Sequence, residues 1–315
     1  MPLHLTEHDV SRLVGIDDAL SAVESVGRSM AAGEVVFTPR NRLRMQNGFL
    51  HFMPASLEKE GVFGYKAYTS FRGQSKFLVY LFDNSSGKLL AVIEADKLGQ
   101  LRTGAASGVA TRVLSKKNVE YLGLIGSGYQ AETQLMALAR VREFKAAKVF
   151  SRNHDHAEEF CEKMQKEVRL SLKAVKDVTE VAEADVIVTA TSAATPVLNG
   201  DYLRVGCHVN AIGANTLIKR ELDEKTVERA GVIVIDSREQ GKLECGDFIP
   251  LTEKGKLHWN NILEFQDLFN GHAKRSSEKE ITIFKSQGIA PWDVSLAKFL
   301  YQRATEEKAG RQIDL

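Results

Sequence analysis

The chain has 315 residues, 43% of them hydrophobic, long enough for two domains with a sizeable buried core. Its 42 Lys and Arg stand against 41 Asp and Glu, so no long-range field recruits nucleic acid or an anionic membrane. Three cysteines without Cys-x-x-Cys spacing argue against a disulfide framework and a cysteine-built metal site; with no signal-like start and no membrane-length apolar run, the expectation is a cytoplasmic protein without metal.

In chain order, the first segment reads as two helices. Thr6 can cap a short one, and Asp17 a longer one that carries Leu20, Val23, Val26 and Met30 and ends at Gly33. Arg42–Met45 and Phe49–Met53 then flank Asn47-Gly48, a hairpin signal. A third strand, Gly61–Tyr68, sets Lys66 among Val62, Phe63, Tyr65, Ala67 and Tyr68. A lysine in such company either snorkels or is held to bind an anion. Lys76–Phe82 and Leu89–Ile93 pair around the turn at 83–87, and a helix runs from Asp96 towards Leu114. That helix contains Gly104, Ala105, Ala106, Ser107 and Gly108. Each glycine costs about 1 kcal/mol against alanine, so something nearby needs the space. Lys116-Lys117 reads as a solvated loop.

Val119–Ile125 is an apolar run that ends in Gly126-Ser127-Gly128-Tyr129-Gln130-Ala131, followed by an apolar-periodic helix. Strand, glycine turn and helix form the context of a dinucleotide fingerprint. Gly126 turns the chain, Gly128 lets backbone approach a pyrophosphate, and the helix N-terminus offers N–H groups to phosphate. Lys148–Ser151, Asp185–Ala190, His208–Gly213, Gly231–Asp236 and Ile281–Ser286 are short strands, mostly Val- and Ile-rich. They suit a parallel sheet covered on both faces. A short helix is expected around Ile262–Phe269, and a last helix around Val294–Thr305. The fold class is α/β: a Rossmann-type doubly wound parallel sheet plus a discontinuous, mostly antiparallel α+β domain. The expected bounds are 1–115 with 290–315 for the substrate-binding and dimerisation domain, and 116–289 for the dinucleotide domain. The active site is expected in the cleft between them.

The strand after the fingerprint ends Ser151-Arg152-Asn153, where an NAD site usually carries an acid. A guanidinium and a hydroxyl there suit a 2′-phosphate, so NADP(H) is expected to be preferred over NAD(H). The alternative is that Arg152 stacks on the adenine. His154, His156 and Cys161 form no oriented metal cluster, His208 reads as a structural residue, and Asp293 reads as a helix N-cap. No Gly-x-Ser-x-Gly elbow offers a hydrolase nucleophile.

Several motifs together resemble the ornithine cyclodeaminase/mu-crystallin family, which also holds alanine dehydrogenases and cyclic imine reductases. They include Met53-Pro54-Ala55, Gly64-x-Lys66, Leu101-Arg102-Thr103-Gly104-Ala105-Ala106, Gly126-x-Gly128-x-Gln130-Ala131, Thr189-Ala190-Thr191, His208-x-Asn210-Ala211-x-Gly213, Lys219-Arg220-Glu221-Leu222-Asp223 and Phe284-Lys285-Ser286-x-Gly288. The resemblance implies a carboxylate clamp made by Lys66 with either Arg40 or Arg42. It implies a pyrophosphate contact at Arg102, beside Thr103, and cofactor contacts at Ser127, Tyr129, Gln130 and Ser286. Thr191 and Ala211-Ile212-Gly213 would line the nicotinamide side. It also suggests a homodimer built through the first domain.

Cyclodeaminases and the related alanine dehydrogenases of this family carry an aspartate after the strand that ends here in Ile212-Gly213-Ala214, and in the cyclodeaminases it is the acid/base; this chain has Asn215. An amide orients a substrate but takes up no proton at neutral pH. The expected activity is therefore an NAD(P)H-dependent reduction of a small cyclic imino acid or keto-acid-derived imine, with Lys66 and Asn215 at the reacting centre. The alternatives are an NAD-recycling ornithine cyclodeaminase and a catalytically silent NADP-binding protein.

Overall fold

Residues 1–71 and 73–314 are described by the structure, a computed structural model, and they fall into two units, Met1–Arg102 with Ile289–Leu315, and Thr103–Gly288. The chain opens with β1 (Leu3–Leu5), α1 (Glu7–Leu13) and α2 (Ile16–Ala31). Thr6 caps α1 in a capping box with Asp9. Asp17 does not cap α2: Gly15 is the N-cap, and the Asp18 carboxylate accepts its N–H at 2.9 Å. Strands β2 (Val35–Phe37), β3 (Asn41–Met45), β4 (Gly48–Leu57), β5 (Val62–Phe71), β6 (Gln74–Asp83) and β7 (Leu89–Glu94) follow. Met45 pairs with Gly48, so the hairpin turn is Gln46-Asn47 rather than Asn47-Gly48. A side chain at Gly48 would strike the Ser70 carbonyl and the Phe71 ring, so glycine here serves the strand, not the turn. The division between units falls inside α3 (Asp96–Leu114).

In the second unit, β8 (Tyr121–Ile125), α4 (Tyr129–Val141), β9 (Ala146–Phe150), α5 (His154–Met164), β10 (Ser171–Val175), α6 (Thr179–Ala182) and β11 (Val186–Thr189) alternate. Then come β12 (His208–Ala211), α7 (Glu224–Glu228), β13 (Ala230–Ile235), α8 (Arg238–Glu244), α9 (Ile249–Glu253), β14 (Leu263–Glu264) and β15 (Ile281–Lys285). The sheet order is β10-β9-β8-β11-β12-β15-β13-β14, with every pairing parallel. Apolar clusters cover both faces, one around Ile187, Val209 and Ile283, the other around Leu124, Leu135 and Val188. The order of strands reverses between β8 and β11, the switch point at which such sheets bind nucleotides.

Two readings change here, and one strand, β10, is added to those expected. The stretch expected as a helix around 262–269 is β14 followed by a 3₁₀ turn at Phe265–Leu268. β10 is an edge strand with a half-exposed, alternating pattern, too polar to read as part of a buried sheet. Lys116 is not solvated but ion-paired with the buried Asp185 at 3.0 Å.

The chain then closes with α10 (Ala290–Glu306) and β16 (Arg311–Gln312), both part of the first unit. Its sheet runs β16-β1-β7-β6-β5-β4-β2, with β3 on β4, and is antiparallel except where β1 meets β7. α10 packs on β4 and β5 and against α2. Along β5 the residues alternate: Val62, Gly64 and Lys66 are buried, and Phe63 and Tyr65 half-exposed. Period-two alternation therefore places Lys66 on a buried face, in register with Met53 and Val79.

Candidate active site

The glycine turn at the end of β8 is required by its surroundings. Gly126 has φ +106°, and a side chain there would run into the Ala190 carbonyl. Gly128 is the N-cap of α4 and contributes no side-chain acceptor, and among the described residues nothing beyond its chain neighbours lies within 4 Å of where its Cβ would be. The open approach to a helix N-terminus suits a pyrophosphate. A cavity of about 740 Å³ is bordered by Gly126, Ser127, Gly128, Ser151, Arg152 and Thr191, so six of the residues expected at a cofactor border one space. The Oε1 of Gln130, buried beside this turn, has no hydrogen-bond partner among the described residues. A turn, a helix end, a cavity and an orphaned acceptor all fit a dinucleotide.

Other expected contacts are placed differently. Tyr129 is exposed. Asn153 uses its side-chain oxygen to cap α5, accepting from the Asp155 N–H at 3.1 Å. The Ser286 hydroxyl lies 3.3 Å from the Asp236 carboxylate, and the Ser286 N–H donates to the Ala211 carbonyl at 3.1 Å. Thr103 presents its carbonyl to the Gln134 amide at 3.1 Å. Gly104 explains the small residues of α3, because a Cβ there would meet the backbone of Thr133. Ala211 and Ile212 are buried and Asn215 half-buried. His208 is a core residue: it contacts Thr282 Oγ1 at 2.9 Å and Asn210 Oδ1 at 3.2 Å.

A second polar centre lies in the first unit. Lys66, 3% exposed, places Nζ 2.9 Å from Asp293 Oδ1, and Arg102 Nε lies 3.2 Å from the same oxygen. Asp293 is therefore not an N-cap. Ile289 caps α10, and Asp293 sits in its first turn, wholly buried, with Oδ2 unpartnered among the described residues. The sequence signal was present but misread, because an acid just inside a helix start looks like a cap. Glycine is needed at position 99, where a Cβ would stand 2.6 Å from Lys66 Nζ. Burial lowers the Lys66 pKa; Asp293 opposes that shift, and Arg102 and Arg40 add to it. Burial alone would raise Asp293, yet the Arg102 and Lys66 charges hold it below its usual value.

Of the two candidate arginines, Arg40 is buried, with Nε 3.4 Å from Met53 Sδ, the residue paired with Lys66 across β4 and β5. Arg42 is half-buried, and opposite it in register is His51, which stacks on Tyr68 at 4.0 Å. Burial, Arg42 and Arg40 together push His51 down to about 4.

A doubly wound sheet with a glycine turn and an open cavity at its switch point defines a dinucleotide-dependent oxidoreductase. Within that class the chain belongs to the ornithine cyclodeaminase/mu-crystallin family, whose model matches residues 2–308. It is 34% identical to an alanine dehydrogenase of Archaeoglobus fulgidus, over 99% of this chain and 98% of the relative. Among solved structures it is similar to Thermococcus litoralis Delta(1)-pyrroline-2-carboxylate reductase in complex with NADH and L-proline, at TM-score 0.94 and 32% identity over 99% of this chain and 100% of that one. An archaeal alanine dehydrogenase dimer with bound NAD is similar at TM-score 0.94 and 33% identity, covering 100% of this chain and 99% of that one.

Proposed function

We propose that the chain is an NAD(P)H-dependent reductase of a small cyclic imino acid or a keto-acid-derived imine. The observation that carries the substrate class is the cluster of cations at Lys66: Lys66 and Arg102 both meet the buried Asp293, and Arg102 and Arg40 add to the effect of burial in lowering the Lys66 pKa. Cations held this close together out of water repel one another and favour an anionic ligand. A substrate carboxylate is such a ligand. We assign it to Lys66 and Arg40, the buried arginine, and keep Arg102 for a cofactor phosphate, through the guanidinium donors other than Nε.

When bound, the cofactor supplies the hydride. The glycine turn and the first turn of α4 would hold its pyrophosphate, and Ala211-Ile212-Gly213 and Thr191 its nicotinamide side. Asn215 orients the substrate nitrogen and takes no proton, which suits an imine already protonated in solution and disfavours ornithine cyclisation. The discriminating assay offers NADPH with pyrroline-2-carboxylate, piperideine-2-carboxylate, or pyruvate plus amine, and separately ornithine with catalytic NAD. NADPH oxidation in the first set supports the reading; release of ammonia and proline from ornithine alone overturns it.

We also infer a preference for NADP(H). Ser151 and Arg152 follow β9 at the cavity wall, in the place where an NAD site usually carries its acid, while Glu132 and Glu159 border the same cavity from α4 and α5. Charge-assisted hydrogen bonds to a phosphate contribute about 1.5–3 kcal/mol. Arg152→Ala is therefore expected to raise the NADPH KM by roughly ten- to a hundredfold, leaving that for NADH nearly unchanged. A wild type that prefers NADH removes the inference.

A homodimer built through the first unit is the assembly we propose, by analogy with the dimeric archaeal alanine dehydrogenase. It is supported by a stacked aromatic face, with Phe63 on Phe82 at 5.0 Å and Tyr65 on Tyr80 at 4.8 Å, near the exposed Phe52 and Leu50. Light scattering of the purified chain checks it.

A further inference from the structure

Glu221 lies after β12, wholly buried, and outside every role assigned so far. Four donors converge on its carboxylate. Oε1 accepts from the Thr191 N–H at 2.7 Å and the Thr191 hydroxyl at 2.9 Å. Oε2 accepts from the Gly213 N–H at 2.7 Å and the Ala214 N–H at 3.1 Å. One side chain thus ties the segment after β11 to the segment after β12. The two segments are so close that a Cβ on Gly213 would strike the Thr191 backbone.

Glu221 is itself held. Its N–H and that of Leu222 donate to Asp247 Oδ1 at 2.7 and 3.0 Å. Asp247 Oδ2 is 2.9 Å from Lys285 Nζ, and Lys285 donates to the Ala214 carbonyl at 2.6 Å. Ala214 is therefore gripped at its N–H by Glu221 and at its carbonyl by Lys285, one residue before Asn215. Even Gly246 is dictated here, since a side chain on it would collide with the Lys219 carbonyl.

We infer that Glu221, anchored by the Asp247–Lys285 pair, is a positioning residue that fixes Thr191 and Gly213–Asn215 as one rigid surface for the nicotinamide end of the cofactor. The inference rests on the proposed assignment of these two segments to the nicotinamide side. A carboxylate satisfies all four donors. An amide of the same shape offers one oxygen and turns an NH2 group towards two of them, so Glu221→Gln loosens the tie without changing volume.

The test compares a whole cofactor with a fragment that lacks nicotinamide: NADPH against 2′-phospho-ADP-ribose, and NADH against ADP-ribose. The expected result for Glu221→Gln is a loss of about tenfold or more in affinity for the whole cofactor, with the fragment within about twofold of wild type. Equal losses for both, as a merely structural role would give, overturn the inference, and so does no loss for either. If Glu221→Gln does not fold, Asp247→Asn, which keeps an acceptor for the two N–H groups, is judged by the same split. A wild type that binds neither cofactor nor fragment refutes the proposed function instead, and so separates the two failures.

Discussion

Each unit contains a buried lysine 2.9 Å from a buried aspartate, Lys66 with Asp293 in one and Lys285 with Asp247 in the other. By distance and burial the pairs are indistinguishable, yet their lysines shift in opposite directions. Burial works against the charge of both. Around Lys66, Asp293 opposes the effect of burial, while Arg102 and Arg40 reinforce it, and the pKa falls. Around Lys285 the carboxylates of Asp247 and Glu221 outweigh burial, and the pKa rises. The oxygens are used differently as well: Asp293 Oδ1 meets both Lys66 and Arg102, whereas Asp247 Oδ1 accepts two backbone N–H groups and its Oδ2 faces Lys285. A short ion pair therefore does not distinguish a site from a scaffold. The charges around it do: further cations beside Lys66 favour an anionic ligand, and carboxylates beside Lys285 hold it charged among the loops it ties.

The largest expected effect separates the two lysines directly. Lys66→Met should lower kcat/KM on the order of 10³-fold, because removing one partner of a desolvated charged contact costs about 4 kcal/mol. Its melting temperature should stay level or rise, since Asp293 keeps Arg102 and an ammonium disfavoured by burial has been removed. Cofactor affinity should hardly change. Lys285→Met should do the reverse to stability, lowering it by about 3–5 kcal/mol by stranding Asp247. Parallel melting curves and steady-state kinetics on the two variants decide it. If both variants lose stability alike, the distinction collapses.

A smaller effect sharpens the role of Asp293. The proposed substrate clamp needs Lys66 charged, so kcat/KM should fall as pH rises through its depressed pKa, below the ordinary lysine value. Asp293 is the group that holds this pKa up. Asp293→Asn should therefore move the alkaline limb to lower pH, as a kcat/KM profile would show. An unmoved limb would mean that Lys66 does not set it.

The smallest effect lies on the scaffold side and concerns stability alone. Burial, reinforced by Arg275, pushes His208 down to about 3, against an ordinary value near 6.5. A group depressed on folding stabilises above its unfolded pKa and loses that contribution as pH falls, here from about 6.5 towards 3, at up to about 1.4 kcal/mol per pH unit. Asp236 works the other way. Burial raises it to about 6, so its contribution is present below its ordinary value and is lost as pH rises through about 6. The informative quantity is consequently the difference between wild type and His208→Gln in denaturant titrations from pH 7 to 4. The wild type should lose more stability on acidification than the variant.

Much of this was legible in the sequence because backbone geometry enforces it. The glycine turn needs a positive φ at Gly126, and α3 occupies Asp96–Leu114 as its composition suggested. Lys66 stood out because a charge on a buried β face breaks the alternation of its strand. What stayed hidden depended on tertiary register. β15 inserts between β12 and β13, and only this brings Lys285 under the Ala214 carbonyl and Ser286 against Asp236. Asp293 looked like a cap because its partners, Lys66 and Arg102, are 227 and 191 residues away in sequence. Glu221 stood in a motif, but its four donors come from segments whose meeting no local pattern announces.

The measurement that bears most directly on the account is the reduction of two ring imines that differ only in the carboxylate, pyrroline-2-carboxylate and unsubstituted pyrroline, by the wild-type enzyme with NADPH. If the cations at Lys66 hold a carboxylate, kcat/KM for the carboxylated ring exceeds that for the bare ring by about 10³-fold or more. Equal rates on the two rings, or turnover of neither, would contradict it.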